Sequence, residues 1–346
     1  MMTVQAAEGT PSGTPHLSIG ICVYAFGYLS GGNGAGTPRA WHTPLDTYAL
    51  MDLAAAHHLG GVEFPPLRML ANHDTATLEQ VRAYAAARGL YIVSDGGVVD
   101  VAELQALLPV AAALGARAVR MTVSHILCGD RRSVRDTWAG YLQEIVRRLK
   151  AVRGLAEELG VPVGIENHQD MTSEELIAVC EEVGSPQIGV TLDAINPLAV
   201  VEDPLTFARR IMPYLKNVHL KDYYLYRTRE GFRLVRCAVG AGVLDVPSLL
   251  ALCAAEAPAA PINIEVGAYE ARHIRLLEDD FWPGYPPRRL ESILPVLRLR
   301  DAGARPDGEE WRTPWERGEQ GEVVAAYEMR QFEDSVTYLR SLTEHV

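Results

Sequence analysis

The chain has no cysteines at Cys-x-x-Cys spacing, no apolar run long enough to span a bilayer and no surplus of basic residues. Each absence removes a class of function. The five cysteines, Cys22, Cys128, Cys180, Cys237 and Cys253, are scattered and odd in number, so they read as reduced thiols in or near the core of a cytoplasmic protein. Met1 to His16 hold no Lys or Arg and no apolar stretch, which speaks against a secretory leader and for a flexible tail over residues 1–16. Lys and Arg number 32 against 44 Asp and Glu, a net charge of −12. That balance disfavours a nucleic acid, whose phosphates need cations, and nothing points to a membrane.

What is present is a chain of 346 residues, 48% hydrophobic, sufficient for one large core. Strand and helix patterns alternate along it. Leu17 to Phe26 reads as a strand and is followed by a Gly-rich loop, Gly27 to Thr43. Helical periodicity at Leu45–Leu59, Leu78–Arg88 and Val101–Leu114 precedes strands at 61–64, 90–94 and 116–123. A long helix from about Val134 to Leu159 leads into Val163–Glu166. Ser173 caps a helix to about Val183, Pro204 starts another, and Val246–Glu256 precedes the last strand at Pro261. Eight such units predict an α/β fold, a closed (β/α)8 barrel over residues 17–300, its last helix starting near Pro287. Residues 301–346 form a C-terminal extension with a helix over Glu322–Leu342. Its apolar positions, Val323, Ala326, Tyr327, Phe332, Val336 and Leu339, are spaced for one buried stripe.

Four of the predicted strands end in metal-capable side chains: Val163-Gly164-Ile165-Glu166, Ile188 to Asp193, Lys216-Asn217-Val218-His219 and Ile262-Asn263-Ile264-Glu265. A barrel collects its chemistry at these C-terminal strand ends. One carboxylate at a strand end is more often a helix cap or an ion-pair member. Three carboxylates converging in a buried place would repel one another without a cation, however, and the run of four favours a metal site. Two Glu, one Asp and one His form a hard ligand set suited to one divalent ion, Mn²⁺ first, with Mg²⁺, Co²⁺ and Zn²⁺ as alternatives.

At Gly164-Ile165-Glu166-Asn167-His168-Gln169, Thr191 to Asn196, Asn217-Val218-His219-Leu220-Lys221-Asp222 and Ile264-Glu265, the chain resembles the xylose isomerase-like barrels, nearest their sugar isomerase/epimerase branch. The resemblance implies that Glu166, Asp193, His219 and Glu265 hold one metal and that the glutamates also move protons. The expected chemistry is removal of a proton beside a carbonyl of a sugar or keto-sugar. Glu166, Glu265 and His168 are the candidate bases, with a hydroxyl contact as the alternative for His168. Lys221, Asn196, Trp282 and Arg272 are candidate substrate contacts, set against solvated, turn-capping or surface-packing roles. Tyr24, Glu63, Asp95 and His125 could line the pocket as a group, although each is more ordinarily structural.

Glu166-Asn167-His168 is also similar to the Glu-x-His element of C-glycoside deglycosidase catalytic subunits, which implies a lyase cleaving 3-oxo-glycosides by β-elimination with a small β-rich partner chain. Otherwise a homo-oligomer acting on a small carbohydrate or glycoside is expected. An apurinic endonuclease-type barrel would need more His and Asp ligands and a basic groove; a non-catalytic sugar-binding barrel would need an empty metal site. The glycine runs Gly31 to Gly36 and Gly240-Ala241-Gly242 match neither a P-loop nor a dinucleotide fingerprint and read as flexible loops, the first a candidate lid.

Overall fold

The computed structural model describes residues 18–343, and the tail expected over residues 1–16 lies outside them. Seven parallel strands come first, β1 (Ile19–Cys22), β2 (Gly61–Phe64), β3 (Tyr91–Val98), β4 (Val119–Thr122), β5 (Val163–Glu166), β6 (Ile188–Asp193) and β7 (Leu215–Leu220). An inserted hairpin, β8 (Asp222–Arg227) and β9 (Phe232–Cys237), precedes the eighth barrel strand, β10 (Ile262–Ile264), which pairs with both β7 and β1 and closes the ring. β11 (Arg272–Ile274) then pairs antiparallel with β9, giving a second sheet in the order β11-β9-β8.

The returns are α1 (Thr47–Ala56), the single turn α2 (Pro66–Met69), α3 (Thr75–Ala86), α4 (Val101–Leu114), α5 (Trp138–Leu159), α6 (Ser173–Val183), α7 (Pro204–Ile211), α8 (Val246–Glu256) and α9 (Leu290–Ala302). Many acidic residues spend their charge at the starts of these helices. Asp46, Asp74, Asp100, Asp203 and Asp245 accept backbone N–H groups as caps of α1, α3, α4, α7 and α8, where the helix dipole favours an anion. The cap of α6 is Thr172, not Ser173, in a capping box with Glu175; Ser173 hydrogen-bonds Glu202 instead. Among the described residues no helix is long and apolar enough to cross a membrane.

One end of the barrel interior is filled by Tyr91, whose hydroxyl donates to the Ile262 carbonyl at 2.8 Å and to Asn263 Oδ1 at 3.0 Å. That ring fits because Gly20 and Gly61 face it: a Cβ at Gly61 would stand 2.2 Å from the Tyr91 ring, and one at Gly20 2.7 Å from its hydroxyl. The other end, where the strands terminate, is polar.

The hairpin is absent from the expectations above, although Asp-Tyr-Tyr-Leu-Tyr-Arg and Phe-Arg-Leu-Val-Arg-Cys carry period-two patterns flanking a turn that contains Gly231. Gly240-Ala241-Gly242 is no free loop. The backbone N–H groups of Gly240, Gly242 and Leu244 donate to the buried Asp222 carboxylate, so the nest is filled from within the chain. The loop after β1 is likewise tied down, through Asn33 Nδ2 to the Ala268 carbonyl and Arg39 to the Trp315 and Glu319 carbonyls.

The last helix, α10 (Gly321–Thr343), buries Val324, Ala325, Phe332, Val336 and Leu339. Val323 is exposed, as is Ala326, so the stripe differs in phase from the expected one over its first turn. The reason is Glu328, fully buried, whose carboxylate accepts the N–H groups of Tyr28, Leu29 and Ala268 at 2.8–3.0 Å. Turning Glu328 inward carries Val324 and Ala325 with it. Glu328→Ala leaves three buried donors without an acceptor, at a cost of roughly 2–4 kcal/mol, whereas Glu328→Gln retains an acceptor and loses less. Urea unfolding followed by circular dichroism checks this; an unchanged midpoint in Glu328→Ala would show that the carboxylate does not anchor the helix.

Candidate metal centre

β5, β6, β7 and β10 are consecutive neighbours in the ring. Glu166 and Asp193 are the last residues of β5 and β6, His219 is next to last in β7, and Glu265 follows β10 directly. The register places Asp193 beside His219 and His219 beside Asn263, so alternation turns Thr191 and Asp193, Asn217 and His219, and Asn263 and Glu265 to the barrel interior. One donor atom from each of Glu166, Asp193, His219 and Glu265 lies within 4.8 Å of the others, and all four residues are buried.

Each of the four has one donor atom anchored and one atom left over. Glu166 Oε2 accepts from Arg120 Nε at 2.5 Å. Asp193 Oδ2 accepts from Lys221 Nζ and Asn196 Nδ2, each at 2.5 Å, and Glu265 Oε1 lies 2.8 Å from Lys221 Nζ. His219 Nε2 stands 2.6 Å from Glu63 Oε1, and Glu63 Oε2 accepts from Asn217 and Asn263. The remaining atoms, Glu166 Oε1, Asp193 Oδ1, His219 Nδ1 and Glu265 Oε2, are buried and have no hydrogen-bond partner among the described residues. His219 Nδ1 approaches Glu265 Oε2 to 2.7 Å and Glu166 Oε1 to 3.7 Å without hydrogen-bonding geometry. Buried polar atoms seldom go unpaired. Four on one site, three carboxylate oxygens and one imidazole nitrogen, fit a divalent ion, and the Glu63 contact would hold the imidazole with Nδ1 turned to it. Cys22, Glu63 and His219 form a second group, but burial pushes the Cys22 thiol well up and keeps it protonated, and Glu63 is already committed to its neighbours.

Charge supports the same fit. Glu63, Asp95, Glu166, Asp193 and Glu265 are five buried carboxyls, and Arg120 and Lys221 are the buried side chains with permanent positive charge paired to them. Burial pushes Asp95 up to about 8 and Asp193 up to about 6, against the pull of Arg120 and Lys221 respectively. For Glu166 and Glu265 burial also acts upward, but Arg120 on the first and Lys221 and His219 on the second hold them below the carboxylate range. Burial would lower His219, and the neighbouring Glu63 and Glu265 overcome it and raise it. A divalent cation would relieve the remaining negative charge.

Among the other candidates, His168 follows β5 and is half-buried with Nδ1 unpartnered. Burial pushes it down to about 4 against the pull of Glu166, so its imidazole is neutral near pH 7. Lys221 is not solvated but locked between Asp193 and Glu265, and Asn196 orients Asp193 rather than capping a turn. Trp282 is half-buried and packed within its own loop. Its indole N–H donates to the Leu276 carbonyl at 2.9 Å and its ring packs on Phe281 and Tyr285; no hydrogen bond, ion pair or ring contact among the described residues joins it to the cluster. Arg272 lies in β11 with its Nε unpaired.

Asp95 and Glu63 are interior, as a pocket-lining group requires, and the Tyr24 hydroxyl contacts Arg68. His125 is exposed, in a separate groove with Asp130, Arg132 and Trp138. Sequence reasoning passed over Arg120. Its signal was an arginine between Val119 and Met121, which a buried strand tolerates only with a paired acid.

The xylose isomerase-like TIM barrel family matches residues 51–279. An uncharacterized Escherichia coli protein, YihM, is 26% identical over 272 residues, which cover 75% of this chain and 80% of that protein. A 3-oxo-isoapionate decarboxylase of Pectobacterium atrosepticum is 23% identical over 235 residues, 67% of this chain and 79% of the relative. Among solved structures, D-psicose 3-epimerase of Clostridium cellulolyticum superposes with a TM-score of 0.55 over 84% of this chain and 100% of its own at 13% identity, a likeness of fold. With a closed eight-stranded parallel barrel and a family match over most of its length, the chain belongs to the xylose isomerase-like TIM barrel family.

Proposed function

We propose that the chain is a divalent-metal-dependent enzyme that removes a proton from carbon beside a carbonyl of a sugar or keto-sugar, as an isomerase or epimerase. The observation that carries this reading is the set of four buried donor atoms that make no hydrogen bond among the described residues, Glu166 Oε1, Asp193 Oδ1, His219 Nδ1 and Glu265 Oε2, gathered at adjacent strand ends. When bound, a divalent ion supplies positive charge to the substrate's carbonyl and neighbouring hydroxyl oxygens, lowering the barrier to carbon deprotonation. Lys221 and Arg120 fix the outer oxygens of Glu265 and Glu166, leaving the inner oxygens for the ion and for proton transfer. One glutamate can take the proton from one face and the other can deliver one to the opposite face. A multi-zinc centre of the endonuclease type finds no support: the two candidate groups among the described residues share His219.

The second reading is β-elimination from a 3-oxo-glycoside, with a small β-rich partner chain. His168 favours it, because this imidazole, two residues after Glu166, is neutral near pH 7 and has a nitrogen without a hydrogen-bond partner among the described residues that can accept a proton. Both reactions begin by placing negative charge beside a carbonyl, and so does loss of carbon dioxide from a 3-oxo acid, the reaction in the name of the Pectobacterium relative.

Chelator-stripped protein is expected to take up one Mn²⁺ per chain by calorimetry. Asp193→Asn should abolish that uptake, and Glu63→Gln should weaken it by roughly 10–100-fold. Uptake unchanged in Asp193→Asn would remove the proposed ligand set. In D₂O, a panel of ketoses, keto-inositols and 3-oxo-glycosides separates the reactions, since isomerisation and epimerisation place deuterium on carbon whereas elimination also releases the aglycone. His168→Gln should retain Mn²⁺. It should lower kcat by roughly 10²–10⁴-fold if His168 is the base, and mainly raise KM if the glutamates carry the proton. Wild-type kcat at saturating substrate would exclude the histidine-base mechanism.

A further inference from the structure

The inserted sheet places two arginines beside the candidate metal centre, and neither has an ion-pair partner among the described residues. In the β8–β9 register Tyr223 lies opposite Arg236, and in the β9–β11 register Leu234 lies opposite Arg272. Arg236 and Leu234 are two apart on one strand, so Tyr223, Arg236 and Arg272 share a face of the sheet. That face meets the site. The Tyr223 hydroxyl donates to Asn196 Oδ1 at 3.1 Å, and Asn196 Nδ2 donates to Asp193 Oδ2.

Arg236 is only 5% exposed, yet its Nε and Nη1 have no hydrogen-bond partner among the described residues, and the buried Nε of Arg272 has none there either. Neither guanidinium lies within 4.0 Å of a carboxylate oxygen of the described residues, whereas Arg120 and Lys221 each do. Tyr269 covers the flat face of Arg236, 4.6 Å from its ring centroid. A stacked ring leaves the in-plane N–H fork unsatisfied. Burial and then the neighbouring Arg236 push Arg272 down, which marks two cations close enough to repel. A buried guanidinium with unmatched N–H donors beside a second cation is costly unless an anion completes the pair.

We propose that Arg236 and Arg272 form an oxyanion subsite, so that the substrate is an acidic sugar derivative whose carboxylate or phosphate is held by this pair while its carbonyl end faces Glu166, Asp193, His219 and Glu265. The proposal rests on the reading of those four residues as the reaction centre. A guanidinium fork matches either oxyanion through paired N–H donors, and the Tyr223 and Asn196 hydrogen bonds set the spacing between the two ends.

Three probes differ only at the sixth carbon: D-fructose, D-fructuronate and D-fructose 6-phosphate. Each is titrated by calorimetry into the full-length protein, with and without Mn²⁺. Wild-type protein is expected to bind one of the acidic probes at least about 100-fold more tightly than D-fructose, and which one identifies the anion as carboxylate or phosphate. Arg236→Gln and Arg272→Gln should each erase most of that preference, roughly 10–100-fold, with Mn²⁺ stoichiometry retained. Arg272→Lys keeps charge but loses the fork and should recover only part of it. Equal affinity of wild-type protein for all three probes overturns the subsite, and so does a preference that survives both Gln substitutions. Should Arg236→Gln fail to fold, the wild-type comparison and the half-buried Arg272 still decide. Failure to bind Mn²⁺ counts against the metal reading alone, because the probe preference is also read without the ion.

Discussion

The mutual repulsion of carboxylates gathered in a low-dielectric barrel mouth is the constraint on which the rest of this structure depends. Glu166, Asp193 and Glu265 stand on neighbouring strand ends, with Asp95 and Glu63 also in the interior. Taken alone they could not all remain ionised. The chain answers with buried cations on the outer oxygens, Arg120 on Glu166 and Lys221 bridging Asp193 and Glu265, and with amides, Asn196, Asn217 and Asn263, that fix the remaining acceptors. Every anchor acts on one side of its partner. The opposite atoms are left facing each other, so the polar network orients the cluster without neutralising it.

The additions to the barrel serve the same mouth. The sheet of β8, β9 and β11 arises from the loop after β7 and the segment after β10, and Tyr223 pins it to Asn196. Asp222, immediately after the His219-Leu220-Lys221 run, accepts the N–H groups that hold the turn beyond β9. α10 fastens the outer side: Glu328 gathers the backbone after β1 and after β10, and Ser335 Oγ accepts the Val239 N–H. Three buried acids, Asp222, Glu328 and Glu265, thus lie within one connected stretch of structure, yet they do different work. Asp222 and Glu328 are saturated by backbone donors and hold loops, whereas Glu265 retains an unpaired oxygen.

The eight-unit alternation and the positions of Glu166, Asp193, His219 and Glu265 were legible because strand ends and helix starts carry local signatures: buried β-branched runs, Asp caps and Pro at first turns. Val246–Glu256 and Val101–Leu114 coincide with α8 and α4. Where a boundary moved, a local competitor explains it. Thr172 displaced Ser173 as a cap because it completes the box with Glu175, and Glu328 rephased the start of α10.

Sequence by itself determined which strands end in donors and that the interior of the barrel must be charged there, since those properties follow from residue type and period. Only the tertiary structure decided which donors stay free. Pairing Arg120 with Glu166, Lys221 with Asp193 and Glu265, and Glu63 with His219 spans 46, 28, 44 and 156 positions of chain. Closing the β-barrel is what brings those partners within hydrogen-bonding reach, and no local pattern encodes a contact at such separation. The same holds for Arg236 and Arg272, ordinary alternating residues in sequence, which become one buried and one half-buried cation without an ion-pair partner among the described residues once β11 is laid beside β9.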